Sequence, residues 1–585
     1  MKKGELADPD CYMHLVRASE LYNTGRWYNA MCLRSNAPYG EKLHWTRPFD
    51  CLLLFGAIAF SHATDFQSAL FWWGVILSPL LMTLSLIVLH FCVKPIVSRD
   101  ASFLIFCVFA FQPVILGYFR AGRPDHHSLL VFLFVLSLGI NLRVILRPFA
   151  KSLCCAAGAL GALAIWINIE SILSIGTIIA VLGLFWILGN EDLAKKSLFY
   201  SLALFVVTGI SVIVERPLYD LTSVEYDRVS IVYLALFAMT ALFWALGSAF
   251  NHNKYHLHRS AGRFLFCLAG LFIVALVIFI SFPGFYRGPY ADAEPRALSI
   301  WLSKVSEVET VFSKPFFISI PLIGSAIMCF TFLFRLLLKG GHLNIINQKG
   351  WFYLTVLLIV FFIVSVCQIR FAMYAQTLLS VVMAEIISRI LFWLRKHGTG
   401  LVIATARLAT ITLLSAGFAV VGLLLDVHTN YFNSPKNQKK VPLSELCAYL
   451  NRAQQWGGKT LRILTHVDFG PEILYRTDYE VIATPYHRNG QAMIDTYDIM
   501  TAETDNKARD LINNRGINMV LLCPDSSERV FYSTETQIST FYKRLRRGPI
   551  PDWLNRVELP DDLSSSFLIF EVQQSNHRMV KCGSP

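Results

Sequence analysis

Gly122-Arg123-Pro124-Asp125-His126-His127 decides the fold class of this chain, because charged side chains separate two long apolar segments there. The upstream segment, 102–119, and the downstream segment, 128–144, are each apolar enough to cross a bilayer with modest tilt. Charge near membrane depth is energetically costly and often marks function. The motif is therefore predicted to be a short turn at a membrane surface.

The composition of the whole chain indicates a multi-pass membrane protein. Of 585 residues, 55% are hydrophobic and only 16% are charged, and the mean hydropathy is +0.49. These values exclude an ordinary water-soluble protein. The net charge of +12 is spread over short loops, which fits membrane orientation and argues against a nucleic-acid partner. The 13 cysteines show neither a zinc-site spacing nor a disulfide framework.

Twelve apolar segments of bilayer length are predicted to be transmembrane helices. They lie near residues 69–93, 102–119, 128–146, 152–167, 171–188, 197–214, 229–249, 264–282, 315–337, 351–367, 371–393 and 402–425. Basic residues accumulate in alternate loops, for example at Lys195 and Lys196, and this pattern predicts that those loops are cytoplasmic. By parity, the remaining loops and both terminal regions are predicted on the outer face.

Three regions are predicted along the chain. Residues 1–68 form a first outer loop region, 69–425 form the transmembrane domain with a long outer loop at 283–313, and 426–585 form a soluble α/β domain. The β-rich segments of the last region are 461–465, 481–484, 518–523 and 566–572. Since residues 1–68 lack the apolar core of a signal peptide, either a first span is missing before Met1 or translocation follows a later apolar segment. The first explanation is preferred.

Carboxylates and imidazoles on the predicted outer face are candidate metal ligands. Asp8 and Asp10 lie near the start of the chain, and Asp125, His126 and His127 lie in the turn two spans later. Such a set favours Mg²⁺ or Mn²⁺ over Zn²⁺, because it contains no thiolate. Alternatively, Asp125 only caps the following helix while Arg123 holds the turn.

Two further ionisable residues, Glu170 and Arg370, are predicted at outer ends of spans. At such a position the guanidinium fork of Arg370 is well matched to phosphate oxygens. The alternative is a structural ion pair of Arg370 with Glu170 or with Glu215.

The 283–313 loop, which contains Glu307, is predicted either to be a mobile segment over a site or simply to be solvated.

In their order along the chain, these motifs resemble those of GT-C membrane glycosyltransferases, above all the catalytic subunit family of oligosaccharyltransferases. The first acidic motif is Asp8-Pro9-Asp10-Cys11-Tyr12-Met13-His14-Leu15, and the second is the stretch from Gly122 to His127. Three more motifs follow: Lys304-Val305-Ser306-Glu307 resembles the Ser-Val-Ser-Glu loop motif, Gln368-Ile369-Arg370-Phe371 falls where the family keeps a phosphate-contacting arginine, and Thr465-His466-Val467-Asp468-Phe469-Gly470 resembles the Trp-Trp-Asp-Tyr-Gly motif.

The resemblance implies a fold and an activity. The fold is a GT-C-like polytopic α-helical membrane protein with about 12 to 13 transmembrane helices and a C-terminal α/β extracytoplasmic domain. The activity is transfer of a sugar or oligosaccharide from a polyprenyl-phosphate or pyrophosphate donor to a protein, lipid or glycan acceptor, assisted by Mn²⁺ or Mg²⁺. A divergent bacterial relative of this family is expected in the inner, plasma membrane.

Roles for individual residues also follow from the resemblance. Asp8 or Asp10 would ligate the metal and contact the acceptor, and the motif leaves the choice between them open. Asp125 would be a second metal ligand. His127 stands where the family has a second acidic ligand, and imidazole is a competent ligand too.

Glu307 would close over the site as a catalytic residue, and Arg370 and Arg123 would bind the donor phosphate. His466 and Val467 replace a tryptophan pair that in the family helps to recognise the Asn-x-Ser/Thr acceptor. This replacement favours a lipid or glycan acceptor over strict protein N-glycosylation. Acceptor-binding or structural roles are expected for Glu170, Asp468, Tyr486, His487 and Arg488. A transporter or a silent scaffold is the remaining alternative, disfavoured because few ionisable groups lie in mid-span.

Overall fold

A computed structural model describes residues 4–28, 31–189, 192–252, 260–338, 345–429, 431, 441–456, 459–526, 528–532 and 539–573. The chain divides into two compact units. The helical unit consists of His44–Asp292 and Lys304–Phe432, and the mixed unit consists of Met1–Leu43, Ala293–Ser303 and Asn433–Pro585. Residues near the start of the chain therefore belong to the same unit as the C-terminal region.

Helices account for most of the described chain. They are α1 (Pro9–Thr24), α2 (Arg47–Phe60), α3 (Phe66–Val93), α4 (Arg99–Ala110), α5 (Pro113–Phe119), α6 (His126–Leu146), α7 (Lys151–Ile167), α8 (Ile172–Ile187), α9 (Asp192–Glu215), α10 (Ile231–His252), α11 (Ser260–Ser281), α12 (Pro295–Trp301), α13 (Phe316–Leu338), α14 (Ile345–Cys367), α15 (Ala372–Lys396), α16 (Leu401–His428), α17 (Leu443–Arg452), α18 (Gly470–Arg476), α19 (Gly490–Met500), α20 (Asp505–Arg515), α21 (Glu528–Tyr532), α22 (Phe541–Arg547) and α23 (Asp561–Ser564). The strands are β1 (Met31–Cys32), β2 (Glu41–Lys42), β3 (Arg462–Leu464), β4 (Glu480–Val481), β5 (Met519–Leu522), β6 (Leu554–Arg556) and β7 (Leu568–Val572).

Each of the twelve predicted apolar segments is mostly helical in its described residues. Ten described helices are long and apolar enough to cross a membrane, and an eleventh span results if α4 and α5 are counted together. The remaining predicted segment corresponds to α7, an apolar helix of 17 residues. The prediction of a polytopic α-helical membrane protein is thus confirmed. Residues 1–68, predicted as a loop region, contain helices α1 and α2.

The single span predicted at 102–119 is wrong in one respect, because α4 and α5 are bent by 73° against each other. The bend has a local cause: Pro113 begins α5, and proline has no amide hydrogen and clashes with the preceding helical turn. The first amides of α5 are satisfied by Gln376 of α15, whose side-chain oxygen accepts hydrogen bonds from Val114 at 3.1 Å and Ile115 at 3.4 Å. Helix α5 is therefore anchored at its beginning.

A five-stranded sheet in the order β4-β3-β5-β7-β6 organises the mixed unit. Strands β4, β3 and β5 are parallel, whereas β7 is antiparallel to its neighbours β5 and β6. The four predicted β-rich segments correspond to β3, β4, β5 and β7. Strand β6 was not predicted, because its sequence, Leu554-Asn555-Arg556, contains only one apolar residue. The prediction of a C-terminal α/β domain is confirmed.

The early part of the chain joins this sheet at its β4 edge. The Val481 amide donates to the carbonyl of Arg34 at 2.8 Å, and the Ala37 amide donates to the carbonyl of Val481 at 3.2 Å. The short strands β1 and β2 flank this contact as an antiparallel pair. These backbone bonds explain why residues 1–43 belong to the mixed unit.

Gly158 allows α7 and α9 to pack closely, and we predict that Gly158→Ala destabilises the protein. A Cβ atom at this position would lie 2.0 Å from the carbonyl oxygen of Tyr200, which is backbone and cannot turn aside. The overpacking should cost about 1–3 kcal/mol and lower the thermal midpoint of the full-length protein in detergent.

Gly176→Ala is the matched control, since nothing lies within 4 Å of a Cβ placed there in α8. That variant should keep or raise the midpoint, because alanine is about 1 kcal/mol more favourable than glycine inside a helix. Equal midpoints for the two variants would contradict the proposed packing.

Candidate functional site

The turn between α5 and α6 is held tightly against α3. Gly122 adopts a positive φ of 77°, and its amide donates to the Val75 carbonyl at 3.0 Å. The Ser78 hydroxyl of α3 contacts the carbonyl of Arg123 and the hydroxyl of Ser128. Because both ends of the turn are fixed, the side chains between them have defined directions.

Asp125 is the N-cap residue of α6, and its carboxylate accepts a hydrogen bond from the His127 amide at 3.4 Å. The same carboxylate, only 1% exposed, also contacts Nδ1 of His126 at 2.9 Å and Nδ1 of His127 at 2.8 Å. Nη2 of Arg123 lies 3.4 Å from Oδ2 of Asp125, the same oxygen that the His127 ring contacts. Asp125 therefore caps the helix, as the alternative interpretation expected, and also organises two imidazoles and a guanidinium.

Glu307 joins this group from the loop that precedes α13. Its Oε1 atom lies 3.0 Å from Nη2 of Arg123 and accepts a hydrogen bond from the Tyr118 hydroxyl at 3.2 Å. The Tyr118 ring also stacks on the His127 imidazole, with 5.0 Å between ring centroids, and lies 4.3 Å from Cζ of Arg123. Tyr118 was not predicted, because a tyrosine near the end of an apolar segment has no distinctive sequence pattern.

Arg370 lies in a short 3₁₀ turn, Ile369–Phe371, and pairs with the carboxylate of Glu170. This is the structural ion pair that was the predicted alternative to phosphate binding. The other possible partner, Glu215, instead accepts hydrogen bonds from the Trp166 indole at 3.0 Å and from the Arg47 amide at 3.1 Å.

Backbone and side-chain bonds connect these two ion pairs. The Arg370 amide donates to the Glu307 carbonyl at 3.1 Å, and the Ile369 amide donates to the Glu309 carbonyl at 3.0 Å. On the other side, the Asn168 side chain accepts a bond from the Glu170 amide at 3.0 Å, and its amide nitrogen lies 3.3 Å from Nε2 of His126.

Four segments that are distant in sequence thus meet in the helical unit, and we call this group the polar cluster. Its members are Tyr118, Arg123, Asp125, His126, His127, Asn168, Glu170, Glu307 and Arg370. Three carboxylates face two guanidinium groups, so the polar cluster carries one net negative charge when both imidazoles are neutral. Such an excess of negative charge favours a cationic ligand.

The other predicted site residues belong to the mixed unit. Asp8 is the N-cap of α1, and its carboxylate accepts the Cys11 amide at 3.2 Å and contacts the Cys11 thiol at 2.9 Å. Asp10 lies in the first turn of α1. Burial, followed by the carboxylate of Asp10, raises the pKa of Tyr486 well above its usual range, so this hydroxyl stays protonated. The first acidic motif, through Asp10, therefore interacts with Tyr486 in the loop after β4.

Asp468 and the two basic residues after Tyr486 lie in short 3₁₀ turns. Asp468 belongs to Val467–Phe469, and its amide donates to Nδ1 of His466 at 3.3 Å. The His466 ring packs against aromatic rings of α21, with centroid distances of 5.0 Å to Phe531 and 5.9 Å to Tyr532. His487 and Arg488 form the turn His487–Asn489, in which His487 is buried.

A buried network around Glu41 was not predicted from the sequence. One carboxylate oxygen of Glu41 accepts hydrogen bonds from the hydroxyls of Ser35 and Thr484, each at 2.5 Å, and lies 3.4 Å from the Asn489 side-chain nitrogen. Glu41 is 2% exposed. This network fixes the loop that carries Tyr486 to the start of the chain.

These features define a polytopic helical membrane protein with an α/β domain and a cluster of paired charges. No family model matches the sequence. A curated protein of Archaeoglobus fulgidus, dolichyl-phosphooligosaccharide-protein glycotransferase 1, is 31% identical over 110 residues. The match spans only 18% of this chain and 18% of that relative.

Solved structures agree with the resemblance seen in the motifs. The archaeal oligosaccharyltransferase AglB from A. fulgidus, in complex with an inhibitory peptide and a dolichol-phosphate, superposes with a TM-score of 0.68 at 14% identity, over 90% of this chain and 67% of that chain. The A. fulgidus oligosaccharyltransferase in complex with Zn and sulfate gives a TM-score of 0.60 at 16% identity, over 88% of this chain and 64% of that chain. The protein thus has the fold of these archaeal oligosaccharyltransferase structures.

We predict that Glu41→Gln removes a pH dependence from the local stability of residues 481–490. Burial raises the pKa of Glu41 from 4.5 to about 7, while hydrogen bonds from Ser35 and Thr484 oppose this shift. The folded unit then binds a proton that the unfolded chain releases, so its stability falls as pH rises between these values, by on the order of 1–3 kcal/mol. Hydrogen exchange of the 481–490 amides, corrected for intrinsic rates, should show this loss of protection.

In Glu41→Gln the protection should be nearly constant over the same pH range, since the amide oxygen still accepts both hydroxyls and no carboxyl titrates. Glu503, an exposed carboxylate, provides the control: Glu503→Gln should keep the wild-type pH dependence. A wild-type profile that does not change with pH would show the interpretation of Glu41 to be wrong.

Proposed function

We propose that the protein is a glycosyltransferase that moves a sugar or oligosaccharide from a polyprenyl-phosphate or pyrophosphate donor to an acceptor on the outer face of the membrane. The observation that carries this proposal is the polar cluster, in which Asp125, His127, Glu307 and two arginines meet within a GT-C fold. The dolichol-phosphate bound to the archaeal AglB structure supports a polyprenyl donor. A bacterial inner membrane and an extracytoplasmic C-terminal domain are part of the proposal.

Donor binding would rest on the two arginines. Each guanidinium already pairs with a carboxylate, Arg370 with Glu170 and Arg123 with Glu307. A phosphate that takes the place of a carboxylate keeps the guanidinium paired, so binding leaves no uncompensated buried cation. The Glu307 side chain is 31% exposed, whereas that of Glu170 is 6% exposed. Separating Arg123 from Glu307 should therefore cost less free energy than separating Arg370 from Glu170, because water can solvate the released Glu307 carboxylate.

The residues of the polar cluster fit a divalent cation, held by Asp125 and His127. The net negative charge of the cluster favours a cation, and both side chains are buried and oriented by direct contact. A mixed carboxylate and imidazole set suits Mn²⁺ better than Mg²⁺, which prefers oxygen ligands. When bound, the cation supplies positive charge that neutralises the departing phosphate. The zinc bound to an archaeal oligosaccharyltransferase structure supports a metal in this fold.

One carboxylate would position the loop over the donor, and another would organise the acceptor. Glu307 would hold the loop over the donor through Arg123 and Tyr118. Asp8 or Asp10, near the start of the chain, would organise the acceptor nucleophile. The roles of Glu170, Asp468, His487 and Arg488 in acceptor binding stay predictions.

The acceptor class is proposed to be a lipid or glycan. His466 stands in place of a tryptophan, and its ring is 2% exposed and packed against Phe531 and Tyr532. A ring held in the core in this way is a poor platform for a peptide side chain. Strict protein N-oligosaccharyl transfer is the alternative, favoured by the local similarity to an archaeal dolichyl-phosphooligosaccharide-protein glycotransferase.

We predict that Asp125→Ala reduces transfer from a labelled polyprenyl-linked sugar by about 100-fold or more, because it removes a proposed metal ligand. A chelator should abolish the wild-type activity, and Mn²⁺ should restore it. His127→Asp converts the proposed donor set to oxygen atoms only and should shift the preference from Mn²⁺ towards Mg²⁺.

Asp100→Ala is the control for these variants, since it removes an exposed carboxylate that pairs with Arg395 outside the polar cluster. It should retain wild-type turnover. Full activity of Asp125→Ala, or of the wild type with chelator, would refute the proposed role of the metal.

For the acceptor, we predict that deleting the gene in the source organism changes lipid-linked or polysaccharide glycans and leaves Asn-linked glycopeptides unchanged. Mass spectrometry of both fractions, before and after complementation, measures this. Complementation with Asp125→Ala should fail to restore the glycans, and complementation with Asp100→Ala should succeed. Loss of Asn-linked glycopeptides with unchanged lipid glycans would instead support the protein N-oligosaccharyltransferase alternative.

A further inference from the structure

Tyr118 contacts three members of the polar cluster, although no sequence motif includes it. It lies in the last turn of α5 and is 5% exposed. Helix α5 begins at Pro113, and Gln376 fixes its first amides, so the backbone that carries Tyr118 has little freedom. The side chain can therefore act as a rigid support for its neighbours.

The hydroxyl of Tyr118 and the guanidinium of Arg123 bind the same atom. Oε1 of Glu307 is 3.2 Å from the hydroxyl and 3.0 Å from Nη2 of Arg123. Cζ of Arg123 lies 4.3 Å from the centroid of the Tyr118 ring, within range of a cation–π interaction. The three groups thus form a closed triangle of contacts, in which Tyr118 touches both members of the ion pair.

The ring of Tyr118 also orients His127. The two rings stack with a centroid distance of 5.0 Å and an interplanar angle of 30°. The His127 imidazole is held at Nδ1 by Asp125, at 2.8 Å, and on its face by Tyr118. These two contacts together fix both the tilt and the rotation of the ring.

We propose that Tyr118 is a positioning residue that couples the Glu307 loop to the Asp125–His127 turn. This inference rests on the proposed function only for its catalytic consequence. When Arg123 turns to a donor phosphate, the Tyr118 hydroxyl still holds the Glu307 carboxylate, so the loop stays in place. The ring keeps His127 aligned during the same step.

Two substitutions separate the two contacts of Tyr118. Tyr118→Phe removes the hydroxyl and keeps the ring stacked on His127, whereas Tyr118→Leu removes both contacts. Tyr118→Phe should increase hydrogen exchange of the 304–309 amides and lower kcat roughly tenfold, the scale expected for loss of a hydrogen bond to a charged group. Its affinity for Mn²⁺, measured by electron paramagnetic resonance, should be unchanged, and that of Tyr118→Leu should fall.

Tyr374→Phe is the matched control. Tyr374 of α15 is equally buried, and its hydroxyl has no hydrogen-bond partner among the residues that the structure describes. Removing that hydroxyl should leave both the 304–309 exchange and kcat at wild-type values. A double-mutant cycle of Tyr118→Phe with Glu307→Ala should be strongly non-additive in kcat, because both variants break the same contact.

The outcomes separate this inference from the proposed function. If the wild-type protein transfers no sugar but Tyr118→Phe loosens the 304–309 amides, the coupling holds and the glycosyltransferase assignment fails. If transfer is observed and Tyr118→Phe matches Tyr374→Phe in exchange and in kcat, the coupling is wrong. Additive effects of Tyr118→Phe and Glu307→Ala would also overturn it.

Discussion

A buried carboxylate must be paired, and the rest of the polar cluster depends on how Asp125 meets this requirement. Its side chain is 1% exposed, so leaving the charge without partners would cost several kcal/mol. Three donors from neighbouring residues, Arg123, His126 and His127, surround it. They can reach it because Gly122 turns the chain through a positive φ just before helix α6 begins. The pairing of Asp125 thus fixes the direction of Arg123, and through it the position of Glu307.

The sequence predicted the membrane helices well, because their signal is local. Apolar length alone places twelve segments, and each of them is mostly helical in the structure. The bend between α4 and α5 escaped prediction, since Pro113 can be accommodated inside an apolar run as well as break it, as Pro79 within α3 shows. Strand β6 escaped because its strand conformation depends on pairing with β7 and not on its own composition. Both misses occur where a tertiary partner decides the local structure.

For the polar cluster, the sequence identified residues but not their contacts. Arg123, Asp125, His127, Glu307 and Arg370 were singled out by residue type and motif order, and they do meet in the helical unit. Tyr118 was missed because its partner Glu307 lies 189 residues further along the chain. The Glu41 network was missed for the same reason, since Thr484 lies 443 residues away. Hydrogen bonds over such separations leave no local periodicity, so only the folded chain reveals them.

The charges of the polar cluster indicate why a cation and two arginines would be needed together. With three carboxylates, two guanidinium groups and neutral imidazoles, the cluster without a metal has a net charge of −1 and would repel an anionic donor at short range. A divalent cation at the proposed site of Asp125 and His127 would change this net charge from −1 to +1. Each arginine can then exchange its carboxylate for phosphate without leaving a buried cation unpaired. In the proposed reaction the cation would bind before the donor phosphate, and the ion pair of Arg123 would open first because its partner Glu307 is the more exposed carboxylate.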